Sequence, residues 1–150
     1  MKKFMLGLFL ILGAMSFAAP KFVDMAKVKN AGYVIKNERE DILTMATSDD
    51  DSAIIISFST INMSSKEISD LLKSNALRNS ENFIATLDNN RAYINEFEAQ
   101  GFYSYIIVPK KEKVKNQHTY ATYVSSKKLS KNDLSKITNA ILDEAESYIK

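Results

Sequence analysis

Leu134, Ile137, Ile141, Ala145 and Tyr148 recur at helical spacing near the end of the chain, and Leu142 and Ile149 widen the stripe. Ser130 precedes it as an N-cap, with Asp133 three residues on, at the positive end of the helix. A long helix with one broad apolar face has to lie on a large apolar surface. The rest of the chain offers only one such surface, a sheet.

The strands can be read individually. Asp41 to Ser48 and Ala53 to Ile61 are joined by the acidic turn Asp49-Asp50-Asp51-Ser52. Ala53-Ile54-Ile55-Ile56 is apolar, continuous and mostly β-branched, as in a central strand covered on both faces. Ser64-Ser65-Lys66-Glu67 has capping-box spacing, and the helix it opens places Ile68, Leu71, Leu72 and Ala76 on one face, ending near Leu77. Phe83 to Leu87 is a further strand candidate, turning at Asp88-Asn89-Asn90.

Gln100-Gly101 reads as a two-residue hairpin turn. It pairs Ala99 with Phe102, Phe97 with Ser104, Asn95 with Ile106 and Tyr93 with Val108 on the face expected to be core. The other face pairs Glu98 with Tyr103, Glu96 with Tyr105 and Ile94 with Ile107, and is expected to be half wet. A slip of one residue would exchange the faces. Pro109 ends the strand, Lys110 to Lys115 form a basic loop, and His118 to Ser125 alternate as a last strand. Residues 21–40 are less defined: Tyr33-Val34-Ile35 is a strand candidate, and Phe22 to Val28 is either a helical turn or an extended arm. The order predicts a two-layer α+β domain, a mainly antiparallel sheet packed by two helices.

The first residues have a different character. Lys2-Lys3, the apolar run from Phe4 to Leu12 and the small residues of Ser16-Phe17-Ala18 have the pattern of a secretory signal peptide cleaved after Ala18. The apolar stretch from Phe4 to Ala19 is 16 residues, short of the roughly 20 that span a bilayer. The expected organisation is a leader over 1–18 and one domain over 19–150, periplasmic or secreted, with no transmembrane segment after cleavage. There is no cysteine, so such a domain has no disulfide and rests on its packed core. Removing Lys2 and Lys3 from the 20 basic residues leaves 18 against 18 acidic ones, and this neutrality gives no support for a nucleic-acid partner.

The resemblance that these elements carry is to the Mog1/PsbP-like fold, which includes small exported bacterial proteins of the DcrB type. It lies in Gly32-Tyr33-Val34-Ile35, the Ile54 to Phe58 strand, the helix begun by Ser64-Ser65-Lys66-Glu67, and the strand–strand–helix run from Phe102 to Ile149. It rests on element order. DcrB-type proteins are often lipoproteins, and the missing cysteine departs from that pattern. The resemblance implies a binding or assembly factor without catalytic residues, and it transfers no site residue.

Known chemistries fit poorly. An EF-hand begun at Asp49 needs Gly and Glu where Ile54 and Thr60 stand. His118 is the one imidazole, too few for a typical catalytic zinc, and no serine lies in a G-x-S-x-G elbow. No metal or cofactor is therefore expected. Glu96 and Glu98 share a strand face, which raises a hydrolase acting on an envelope polymer through paired carboxylates. The same patch, Glu96 and Glu98 with Tyr103 and Tyr105, also reads as a binding surface. Lys110, Lys111, Lys113 and Lys115, with Lys127-Lys128 and Lys131 nearby, read as a basic patch for anionic lipid head groups or envelope polymers. The favoured expectation is an exported, non-catalytic binding or accessory protein of the bacterial envelope with an unidentified envelope partner, peripheral membrane contact included. The alternatives are the Glu96/Glu98 hydrolase and a subunit of a surface assembly.

Overall fold

The structure is a computed structural model and describes residues 18–150. Apart from Ala18, the expected leader lies outside the described residues. The elements in chain order are α1 (Met25–Asn30), β1 (Val34–Arg39), β2 (Ile42–Ser48), β3 (Ser52–Thr60), α2 (Ser65–Arg78), β4 (Asn82–Asp88), β5 (Ala92–Ala99), β6 (Phe102–Pro109), β7 (Gln117–Ser125) and α3 (Lys131–Ser147). The strands form one sheet in the order β1-β2-β3-β7-β6-β5-β4, and every neighbouring pair is antiparallel. The expected α+β class, an antiparallel sheet packed by helices, is what the chain forms.

The topology follows from one crossover. After β3, α2 carries the chain to the far edge, and the meander β4 to β7 returns until β7 pairs with β3 along its whole length. That places the Ile54-Ile55-Ile56 run in the interior of the sheet, as its continuous hydrophobicity predicts. The β5–β6 hairpin has the register read from the sequence, from Ala99↔Phe102 to Tyr93↔Val108. Gln100 and Gly101 both take positive φ, 53° and 84°, as a two-residue turn matched to strand twist requires.

Side chains alternate across the sheet and each face has its own helix, so the sheet lies between two helical layers where a two-layer arrangement was expected. On one face Leu43, Met45, Ile56, Phe58, Ile94, Tyr105, Ile107 and Ala121 meet Leu134, Ile141, Leu142 and Ala145 of α3. On the other, Phe97, Ile106 and Val108 meet Ile68 and Ala76 of α2, with Leu72 against them. α2 starts with the expected capping box: Ser64 accepts from the Glu67 amide while Glu67 accepts from the Ser64 amide at 2.7 Å. Its buried face, however, is Ile68, Ser69 and Ala76, and Leu71 is 43% exposed. The cause is polar: Asn95 of β5, buried, donates to Ser69 Oγ at 3.0 Å and turns that side of the helix inward.

The segment before α1 is an extended arm and α1 itself a short helix, so both readings of Phe22 to Val28 hold in part. Val23 bridges to Ile149, and the Lys150 amide donates to the Phe22 carbonyl at 2.9 Å. The arm thereby joins the end of α3 at the same end of the sheet as the β6–β7 loop.

Candidate functional site

Glu96, Glu98, Tyr103 and Tyr105 share a face, as expected, and that face is the α3 side of the sheet; Glu98 and Tyr103 are half-buried there, but the Glu96–Tyr105 part is closed and not half wet. Tyr105 is fully enclosed and Glu96 is 3% exposed. α3 and its leading loop cover them, an effect of residues far downstream that strand alternation does not register. The Tyr105 hydroxyl accepts from the Leu129 amide at 2.8 Å. Burial raises the Tyr105 pKa; the Leu129 amide opposes that rise and nearby Glu96 adds to it. One Glu96 oxygen, Oε1, lies 3.6 Å from Lys128 Nζ and has no hydrogen-bond partner. Glu98 is occupied by the hairpin: it accepts from the Gly101 amide at 3.0 Å and, at 3.4 Å, from Asn82 Nδ2. A carboxylate as enclosed as Glu96 is not presented to a polymer chain.

The acidic turn is likewise closed on itself. Asp49 Oδ1 accepts from the amides of Asp51 and Ser52 at 2.9 and 2.7 Å, and these bonds hold its carboxyl below the usual range. Among the described residues, no group of three or more His, Cys, Asp or Glu is arranged to hold a metal ion.

The β6–β7 loop is organised differently. Lys111, Lys113 and Lys115 are exposed and Lys110 is half-buried, its ammonium 5.6 Å from the Tyr93 ring centre. Backbone bonds pin both ends of the loop, Lys110 N to Arg91 O at 2.8 Å and Ile61 N to Asn116 O at 2.9 Å. Lys113 pairs with Glu146 of α3 at 3.2 Å, and Glu146 is shared with Arg91, which also holds Asp143 at 2.8 Å.

The single acid of the loop is turned inward. Glu112 Oε2 accepts from the Asn116 amide at 2.9 Å and lies 3.1 Å from Nε2 of His118. The imidazole is 3% exposed, and that contact is close enough for an ion pair though not aligned as a hydrogen bond. His118 thus sits under the loop, opposite Ser59 of β3. Lys111 and Lys115 have no acidic partner among the described residues. The result is a braced loop whose one acid, its side chain still 31% exposed, is engaged with the Asn116 amide and His118, while Lys111 and Lys115 point outward.

Lys127, Lys128 and Lys131 do not join this patch. β7 runs nine residues from the loop to Ser125, about 30 Å of strand, so these lysines lie at the opposite end of the sheet, where the Asp49–Asp51 turn also sits. The basic end gains Arg91 and, through the N-terminal arm, Lys21. A groove of about 580 Å³ opens there, lined by Lys21, Phe22, Arg39, Glu40, Asp41, Thr60 and Gln117. The roles of Arg91, Glu146 and the His118–Glu112 contact were not legible in the sequence, since each depends on which strand ends meet.

Among the described residues no helix is long and apolar enough to cross a membrane. No protein-family model, curated protein or solved structure matches this chain.

Proposed function

We propose that the chain is an exported, non-catalytic binding protein of the bacterial envelope, and that it meets anionic groups of that envelope through the β6–β7 loop. The observation that carries this reading is the inward turn of Glu112, which leaves Lys111 and Lys115 exposed on a loop braced at both ends. Bracing lowers the entropy lost on contact, and holding the one acid against the Asn116 amide and His118 lessens its repulsion of an anionic surface. The burial of Glu96 supports a non-catalytic reading over the hydrolase. The Mog1/PsbP-like resemblance, whose members mostly bind or assemble, supports it too.

The test is binding of the purified protein to vesicles with and without anionic lipid, and to isolated cell-wall polymer. Each lysine held at an anionic surface is worth about a factor of five, so Lys111→Glu with Lys115→Glu should weaken binding by at least ~30-fold. Whichever anionic material binds the wild type identifies the source of the charge. Equal binding by the folded double variant would refute the reading.

A further inference from the structure

Val114 stands in the β6–β7 loop between Lys113 and Lys115 and is 52% exposed. The turn that presents it is fixed. The Gln117 amide donates to the Val114 carbonyl at 3.0 Å, the two residues form a bridge, and Asn116 takes φ 66°. Asparagine is among the few residues with a side chain that accept this left-handed conformation. The Ile61 amide donates to the Asn116 carbonyl, and Ile61 is 37% exposed. Two exposed aliphatic residues are thus tied to one turn, beside the exposed Lys111, Lys113 and Lys115. Of the acids at this end, Glu112 is held by the Asn116 amide and His118, Glu146 by Arg91 and Lys113, and Asp41 lies 3.3 Å from Arg39. Glu40, in the β1–β2 turn, has β2 and β3 between it and β7, farther than the ~8 Å over which exposed charge acts.

We propose that the β6–β7 loop docks on an anionic lipid bilayer, where Val114 and Ile61 enter the acyl boundary while Lys111 and Lys115 hold lipid phosphates. The inference rests on the reading of this loop as an anion-binding surface and names lipid as the source of the anions. A bilayer interface sets phosphates just above an apolar layer, and ammonium groups around exposed aliphatic side chains match both parts of it. The long lysine stem reaches up to the phosphates while the shorter valine points below them. A hydrated anionic polymer offers charge but no apolar layer, so it gives Val114 nothing to enter. The lysines set the salt dependence of the contact, and the aliphatic residues add a part that salt does not screen.

The experiment is partition of the purified protein onto vesicles of equal parts phosphatidylglycerol and phosphatidylcholine, beside phosphatidylcholine vesicles and isolated anionic wall polymer. Val114→Ser removes two methyl groups, each worth about fourfold in partition. It should weaken binding to the mixed vesicles by ~10-fold or more and leave the salt dependence as it was. The chain has no tryptophan, so Val114→Trp reports on this position alone. Its emission should shift to the blue on the mixed vesicles and be quenched by lipids brominated in the acyl chains. Both substitutions fall on an exposed side chain and leave the core as it is. A wild type that binds the polymer and not the mixed vesicles would overturn the lipid assignment and leave the charge reading standing, whereas binding to neither would remove both. Vesicle binding that Val114→Ser does not weaken, or a Val114→Trp emission that stays that of an indole in water, would overturn the insertion.

Discussion

Glu96 and Tyr105 face one another across β5 and β6 on the side of the sheet that α3 covers, the carboxylate 3% exposed and the phenol fully enclosed. The phenol is the only hydrogen-bonding part of the Tyr105 side chain, and it is committed to the amide of Leu129 just ahead of α3. The pair therefore fixes how the loop before the last helix lies on the sheet.

Tyr105→Phe keeps the ring and strands the Leu129 amide. Leaving such a donor without its partner costs about 1–2 kcal/mol. Urea unfolding should show a lower midpoint with the slope unchanged, and the Leu129 amide should exchange faster. A midpoint equal to wild type would mean that water replaces the phenol at no loss.

Stability should fall at high pH because of two tyrosines that share one acid. Tyr33 and Tyr148 both donate to Glu144 Oε1, at 2.9 and 2.8 Å. Burial first, and then Glu144, raises the Tyr148 hydroxyl from 10.0 to about 12 and moves Tyr33 well above its ordinary range. The folded chain holds these protons after the unfolded chain has released them. Their contribution is complete below pH 10 and declines from there through about pH 12. A melting temperature followed across that window should drop, and Tyr33→Phe with Tyr148→Phe should flatten the decline. An equally steep decline in the double variant would assign it to other groups.

Gln100 occupies a left-handed conformation, φ 53°, in the two-residue turn of the β5–β6 hairpin. A side chain with a Cβ is strained there, and asparagine tolerates the region better than glutamine. Gln100→Asn should raise stability by about 0.5–1 kcal/mol, read as a higher denaturation midpoint. A lower midpoint would show that Gln100 makes a contact worth more than the strain.

The register of that hairpin was legible because Gln100-Gly101 leaves few ways to join two alternating strands. The identity of the wet face was not. Glutamate and tyrosine read as surface types, yet the Tyr105 ring packs in the core while its hydroxyl finds a backbone donor. Only the position of α3, many residues later, decides that. The stripe of α2 failed at Leu71 for a similar reason: a hydrophobic period cannot anticipate that Asn95 will draw Ser69 inward. The basic patch was half legible. Lys110 to Lys115 stand together because they are neighbours in the chain, but the direction of β7 sends Lys127, Lys128 and Lys131 to the far end. Glu112, between the lysines, reads as one more surface charge until the fold sets His118 beneath it.

The central claim is that the β6–β7 loop binds anionic envelope groups by charge, and the salt dependence of that binding tests it most directly. Exposed charges are screened over about 8 Å at physiological ionic strength. Binding of the wild type to its anionic target should weaken steeply as salt rises, and Lys111→Glu with Lys115→Glu should remove most of that dependence. Binding that is tight and indifferent to salt, or a salt dependence unchanged in the folded double variant, would contradict the account.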